Sequence, residues 1–445
     1  MSTRVPAEDY FNALTGILDQ AIESGERYTA WFAAEQSDFV RMNRGRVRQP
    51  GTVTQHSLRI ELIRGARHAS HSLSLTTAIA TDRETIKRAV AALRAALPDL
   101  ADDPHLLLPE SVASTHTARD GGLPPAEAIV DEVLAAASGT DFVGLLAAGP
   151  VYRGFANSEG QRNWHAASTF NLQWSLYHRA DKAVKSGFAG FAWDGAEFAR
   201  KMADARERLT LISRAPKTLE PGRYRVYLAP RAMEEVAALL CWGGFSGRAL
   251  ATKQSSLGRM HAGERLDSRV HAVEDIASGV APAFQGEGFT RPDRVSLIEC
   301  GALVGSLVSP RTAREFGLAT NGANGHEVPE ALSIAGGNLP MRDALDALGT
   351  GLAIGNLWYL NYSDRPACRM TGMTRFATFW VENGTIVAPV NVLRFDDTVY
   401  RMLGSNLEAL TAETELLLDA DTYGERGLRS AQLPGALVSE MSFTL

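Results

Sequence analysis

The densest group of side chains able to do chemistry lies between Asn361 and Arg375. Asn361, Ser363, Asp364, Arg365, Arg369, Thr371 and Arg375 bring charges, an amide and hydroxyls into a stretch that otherwise reads as strand, and arginine forks suit peptide carbonyls and carboxylates. These seven are candidate contacts for a substrate or partner chain; the plainer reading is an exposed loop whose ion pairs are satisfied internally. Cys368 stands inside the group. Arg365 and Arg369 flank it, and neighbouring cations favour a thiolate, which makes Cys368 the one candidate catalytic group.

Other chemistries lack their residues. Cys300 follows Leu297, Ile298 and Glu299 in a strand pattern and Cys241 closes an apolar helix, so both are expected to be buried core thiols. No Gly-x-Ser-x-Gly elbow is present for a serine nucleophile. Zinc peptidase chemistry needs two imidazoles on one helix, a glutamate beside them and a further ligand. The His-Glu dipeptide His326-Glu327 is followed by Pro329, where a helix would have to continue, and by no second histidine. His68 and His71 fall on opposite faces of a strand, and His261 and His271 sit among charges; all four read as solvated or hydrogen-bonded. The glycine-rich stretches Ala335-Gly336-Gly337-Asn338 and Gly349-Thr350-Gly351 miss the spacing of a phosphate-cradling loop, so no metal and no nucleotide cofactor is expected in this chain.

The elements that position these residues follow from periodicity. Tyr10, Phe11, Leu14, Ile17, Leu18 and Ile22 recur at helical spacing, so Ala7–Ile22 is an amphipathic helix. The segments 28–32, 39–43, 57–63 and 69–75, separated by turn residues, form an antiparallel meander, and Arg83–Leu97 is a second helix ended by Pro98. After a connector, 98–125, the order recurs: helix 126–137, strands 142–146, 151–156, 166–177 and 183–191, helix 197–212. In both copies a short Asn-to-Gly element (Asn43 to Gly45; Asn157 to Gly160) precedes a long strand, which suggests an internal duplication. Pro216 to Gly222 is the expected boundary between an N-terminal α+β domain, 1–220, and a β-rich C-terminal domain, 221–445. There, 224–228 reads as a strand, 230–242 as a helix, 310–316 and 396–410 as helices, 441–445 as a last strand, and 375–388 as a hairpin around Asn383-Gly384. The fold class is α+β, largely antiparallel.

Composition narrows the partners. Forty-five Lys and Arg against 51 Asp and Glu leave a net charge of −6, which recommends neither nucleic acid nor a membrane surface. No apolar run approaches the roughly 18–20 residues that span a bilayer, the N-terminus carries no signal-peptide pattern, and three dispersed cysteines suit a reducing compartment. A cytoplasmic protein is expected.

One stretch goes further. Met370-Thr-Gly-Met-Thr-Arg-Phe-Ala-Thr-Phe-Trp380-Val-Glu-Asn-Gly-Thr385, with Pro389 and Leu393-Arg394-Phe395, resembles the Thr-Arg strand, Glu-Asn-Gly turn and later Leu-Arg-Phe of the TldD/PmbA family. Phe39-Val-Arg-Met-Asn-Arg-Gly-Arg-Val-Arg-Gln49 is similar to the family's early Asn-Gly strand, and Pro434-Gly435 with Phe443-Thr444 to its closing segment. Zinc-bearing members of that family pair with zinc-lacking ones to form an intracellular metallopeptidase. The zinc-bearing members carry HExxxHxxEG and also use a C-terminal cysteine; the matching stretch here is Ala238-Leu-Leu-Cys-Trp-Gly-Gly-Phe-Ser-Gly247, which puts Ala238, Leu239 and Gly243 at the ligand and base positions. None of the three can bind zinc or move a proton. The resemblance implies a zinc-free subunit, PmbA-like or TldE-like, of a dimer or higher oligomer whose TldD-like partner holds the zinc. Unfolded or short peptides would be the substrates, and an extended peptide could join an exposed sheet edge. The alternatives are a divergent homo-oligomeric hydrolase using Cys368 and a non-enzymatic peptide-binding protein.

Overall fold

The computed structural model describes residues 6–179 and 182–444. Two mixed layers of helix and sheet follow one another along the chain. The first sheet contains β1 (Arg27–Asn43), β2 (Arg46–Arg64), β3 (Arg67–Ser74), β4 (His116–Arg119), β5 (Asp141–Asn157), β6 (Arg162–Arg179) and β7 (Lys182–Gly190), in the order β3-β2-β1-β5-β6-β4 with β7 also paired to β6. Helices α1 (Ala7–Ala21), α2 (Ile79–Ala96), α3 (Ala126–Ala136) and α4 (Gly195–Ile212) lie on one face, because even-numbered side chains of β1 point there: Tyr28, Ala30, Phe32 and Ala34 join the core of α1 and α2, while Val40 and Met42 join that of α3 and α4. Asp194 caps α4 by accepting from the N–H groups of Ala196 and Glu197.

The duplication suggested by element order is present in the backbone. An offset of 114 residues carries β1 onto β5, and the β1–β2 and β5–β6 ladders superpose under the same offset. The β1–β5 register, with Glu35 opposite Val151, places Gln36 beside its own counterpart Pro150, so a local two-fold axis runs between the central strands. The ladder is interrupted there. Gly149 adopts a φ of 132°, and a Cβ on it would stand 2.2 Å from the Gln36 carbonyl.

Segments 28–32 and 39–43, expected as two strands, are one 17-residue strand. Alternation fails between them because the second face is also covered: Glu35 and Ser37 are buried against the C-terminal half, where Ser37 donates to Glu35 at 2.7 Å.

The second sheet has 11 strands. In chain order they are β8 (Gly222–Leu228), β9 (Ala272–Asp275), β10 (Arg294–Glu299), β11 (Ala302–Leu303), β12 (Ala331–Ile334), β13 (Gly351–Asp364), β14 (Arg369–Glu382), β15 (Thr385–Pro389), β16 (Arg394–Thr398), β17 (Leu407–Leu418) and β18 (Ser430–Phe443). Helix α5 (Pro230–Cys241) follows β8 and packs against β13 and β18, and α6 (Gly247–Ala251) comes next. The Asn383-Gly384 hairpin is formed as expected, with φ of 49° and 76° at the two turn residues.

Residues 396–410 are not one helix: only 399–405 is helical, and it ends in a π-helical turn. The spacing of Val399, Met402, Leu403, Leu407 and Leu410 is helix-like, yet those side chains fill a core from β16, a wide turn at Arg401–Ser405 and β17; Gly404, at φ −114° and ψ −110°, ends any helical path. The last strand begins at Ser430 rather than 441, since Pro434-Gly435 sits within β18 at a register shift, where a Cβ on Gly435 would meet Tyr227 Oη at 2.7 Å.

Candidate functional site

Helix α5 ends at Cys241. Of the three positions that matter there, Ala238 is exposed, Leu239 is buried in the core, and Gly243 lies beyond the helix at φ +77°. The guanidinium of Arg365 occupies the space before Gly243: its Nη2 would be 2.7 Å from a Cβ there, and it donates to the Trp242 carbonyl at 2.6 Å. These residues do not fit a zinc ion. Leu239 and Ala238 offer no donor atom, and a fixed cation faces the third position. Ser246, next in line, caps α6 by accepting from the Ala249 N–H, and its hydroxyl donates to Glu327 at 2.6 Å. Glu327 also accepts from the N–H groups of Arg248 and Ser309. Burial alone would raise its pKa, but the hydrogen bonds outweigh it and hold the carboxyl below its usual range. His326-Glu327 is therefore a clamp between loops.

The 361–375 group faces this helix end on the β13–β14 hairpin. Tyr362 Oη donates to the Leu239 carbonyl at 2.6 Å and lies 3.0 Å from Ser256 Oγ. Cys368 is fully buried beside Tyr362 and Ser256, and burial pushes its thiol up to about 12, the reverse of the thiolate expected from its arginine neighbours. The reason is geometric: Arg365 turns to the Trp242 carbonyl and stacks over the Trp242 and Tyr362 rings, while Arg369 pairs with Asp396. Thr371 donates to the Phe395 carbonyl at 2.9 Å, and Asp364 accepts from the Ala367 N–H. Asn361, Ser363 and Asp364 lie exposed along the outer part of the hairpin. Arg375 stacks on Trp358, 4.1 Å from the ring centroid, next to Tyr359 and Phe376, both at positive φ. Trp242, Trp358 and Tyr359 are 55%, 42% and 75% exposed. The structure thus gathers Tyr362, Arg365 and Cys368 at the end of α5 and spreads Arg369, Thr371 and Arg375 along β14.

The sequence reading missed one pairing. Cys300, expected in a strand core, is exposed in the β10–β11 turn at φ +46°, because Glu299-Cys300-Gly301-Ala302 closes a tight hairpin. Its N–H donates to His271 Nδ1 at 3.4 Å, and Nε2 of the same ring lies 3.9 Å from the sulfur. Cys241 packs on the core as expected, its thiol pushed up to about 12 by burial.

A second concave region lies between the two sheets, a cleft of about 760 Å³ bordered by Trp31, Glu61, Arg153, Glu287 and Arg291. Three pairs span it, Arg153 with Glu425 at 3.1 Å, Arg291 with Glu330, and His68 with Glu61 at 2.7 Å, whereas Glu287 meets only Gln285 among the described residues and burial raises its pKa. Among the described residues no three His, Cys, Asp or Glu side chains converge as metal ligands, and no helix is long and apolar enough to cross a membrane.

The C-terminal-domain model of the PmbA/TldA metallopeptidases matches residues 221–445. The chain belongs to the PmbA/TldD family. Three solved structures share its fold. TldE from Thermococcus kodakarensis superposes with a TM-score of 0.77 at 14% identity, covering 98% of this chain and 100% of its own. A proposed modulator of a DNA gyrase from Thermotoga maritima gives 0.75 at 15% identity, covering 99% and 100%. A proposed DNA gyrase modulator from Bacteroides thetaiotaomicron gives 0.75 at 16%, covering 99% of both chains. No match was found among curated proteins. The Thr-Arg strand and Glu-Asn-Gly turn that carry the PmbA/TldD resemblance in the sequence are β14, paired to the β13 on which α5 packs, and the β14–β15 turn.

Proposed function

We propose that this PmbA/TldD family member is a zinc-free, TldE-like subunit of a heteromeric peptidase, and that a TldD-like partner supplies the metal and the hydrolytic step. The observation that carries this reading is the end of α5: alanine, leucine and glycine stand at the positions of the zinc ligands and base, and the Arg365 guanidinium fills the space in front of Gly243. The chain contributes surface. Trp242 at the end of α5, and Trp358, Tyr359 and Arg375 on β13 and β14, expose aromatic and arginine surface, the composition enriched at protein interfaces, on which a partner or an extended peptide would rest. Arg369, Thr371 and Asn361, on the same two strands, are further proposed contacts, and unfolded or short peptides are the proposed substrates. The buried, proton-retaining thiol of Cys368 weighs against a hydrolase built on it.

The test is a peptidase assay of this chain alone, a TldD-like partner alone and the mixture, each with and without chelator. Activity well above either component in the mixture alone, abolished by chelator, is expected. Chelator-resistant hydrolysis by this chain on its own would overturn the assignment.

A further inference from the structure

The two repeats of the N-terminal sheet differ at their outer edges. In the second, β6 is lined on its outer side by β7 along Phe170–Arg179 and by β4 along Trp164–Ala167. In the first, β3 covers Ser57–Arg64 of β2, and among the described residues no strand pairs with the outer side of Arg46–Gln55. The offset of 114 residues maps Trp164–Ala167 onto Pro50–Val53. Trp164, His165 and Ala167 are 6%, 3% and 1% exposed, whereas every residue from Arg46 to Thr54 is exposed, whichever face its side chain takes. The strand that completes the second repeat, β4, is a four-residue extended piece of the connector paired in parallel. A short extended segment therefore fits this kind of edge.

The hydrogen-bonding groups are available. The His56 carbonyl accepts from the Leu75 N–H at 2.9 Å, so even-numbered residues of β2 direct their backbone groups outward, and Thr52 and Thr54 continue that row. Pro50 lacks the donor that its counterpart Trp164 gives to the Thr115 carbonyl, which leaves Thr52 and Thr54 as the N–H donors of the row.

Charge selects the occupant. Between Phe39 and Gln55 the chain carries Arg41, Arg44, Arg46 and Arg48 and no acidic residue, although the whole protein is at −6. All four are exposed, and none is ion-paired among the described residues. Asp38, at the base of the hairpin, accepts from Thr52 Oγ1 at 2.6 Å. A second copy of this edge would set arginines against arginines.

We propose that the outer edge of β2, from Pro50 to Gln55, docks an acidic extended peptide segment as an added strand, with Arg46 and Arg48 reading its carboxylates. This deepens the peptide-binding part of the reading above by naming a place and a charge. The test uses this chain alone and a fluorescein-labelled peptide of alternating glutamate and threonine, about ten residues long, followed by fluorescence anisotropy at low salt. Binding is expected to weaken at least about tenfold in an Arg46→Glu, Arg48→Glu variant, and comparably in Thr52→Pro, whose melting temperature is checked in parallel. Alternate N-methylation of the peptide removes the strand-pairing amides and should abolish binding. Equal binding of the N-methylated peptide, or of an oligonucleotide of the same charge, overturns strand addition. Binding no better in the natural chain than in the double-arginine variant overturns the site. No hydrolysis is read, so failure here leaves the heteromeric assignment to the chelator assay, and failure of that assay leaves this result standing.

Discussion

The end of α5 and the outer edge of β2 both carry polar groups, and their states are opposite. Around α5, Tyr362 donates to Leu239, Arg365 to Trp242, Arg369 pairs with Asp396, and Cys368 is sealed under them. Along β2, the backbone groups of Thr52 and Thr54 and the guanidinium groups of Arg46 and Arg48 meet no protein partner among the described residues. A cluster rich in chemical residue types can be a finished piece of scaffold. A sparse strand can be the place where something is missing, because an unpaired ladder has a definite complement and a satisfied network has none.

The comparison breaks most sharply if the α5 end can be turned back into a site. Restoring the family motif with Ala238→His, Leu239→Glu and Gly243→His buries a carboxylate in the core and drives an imidazole into Arg365 from a left-handed backbone, so the variant should lose about 4 kcal/mol or more of unfolding free energy. It should also hold no stoichiometric zinc in equilibrium dialysis. A stable variant with one zinc per chain would show that the region is a site merely emptied of ligands.

A smaller effect sharpens the covered side of the contrast. His165, on β6 opposite Thr117 of β4, is buried, and its Nε2 has no partner among the described residues. Burial, with Arg153 and Arg119 nearby, pushes its pKa down from 6.5 to about 4. The folded state thus resists the charged ring. The contribution is fully present above pH 6.5 and is lost as pH falls through 4, with a size on the order of 3 kcal/mol. Denaturant midpoints across that interval should fall less steeply for His165→Asn than for the natural chain, and an unchanged slope would count against a buried neutral imidazole. Smallest of all is the expected result at the open edge: Arg46→Ala with Arg48→Ala should alter stability by no more than about 0.5 kcal/mol. A larger loss in the melting curve would mean the arginines are holding the fold together.

Where one face of an element is buried and the other wet, the sequence is easy to read. Helix α1 with its stripe from Tyr10 to Leu18 and the Asn383-Gly384 hairpin are of this kind. Reading fails where both faces are covered. Glu35 and Ser37 look like a break in β1 because the C-terminal half buries them, and Leu407 and Leu410 imitate a helix because core surrounds them. Cysteine environments fail for a related reason. Cys300 and Cys368 changed places relative to expectation, since a tight turn exposes one and the α5 contact encloses the other, and neither event is local. The duplication was visible as an order of elements although the copies share few residues. The open stretch of β2 was not visible at all, because which strand borders solvent depends on sheet order rather than on any strand's own letters.

The loop joining β17 to β18 crosses the axis between the repeats. Arg426 reaches into the interrupted ladder and donates to the carbonyls of Gly149 and Thr169, at 2.9 and 3.0 Å, while Gln55, the counterpart of Thr169, donates to the Gly424 carbonyl of the same loop. Glu35, the counterpart of Gly149, supplies the negative charge that the buried guanidinium needs. A lone cation cannot obey a two-fold operation. Once it was seated, one copy had to furnish an anion and the other a bare carbonyl, so exchanging equivalent residues between the halves would leave Arg426 either without a counter-charge or without room.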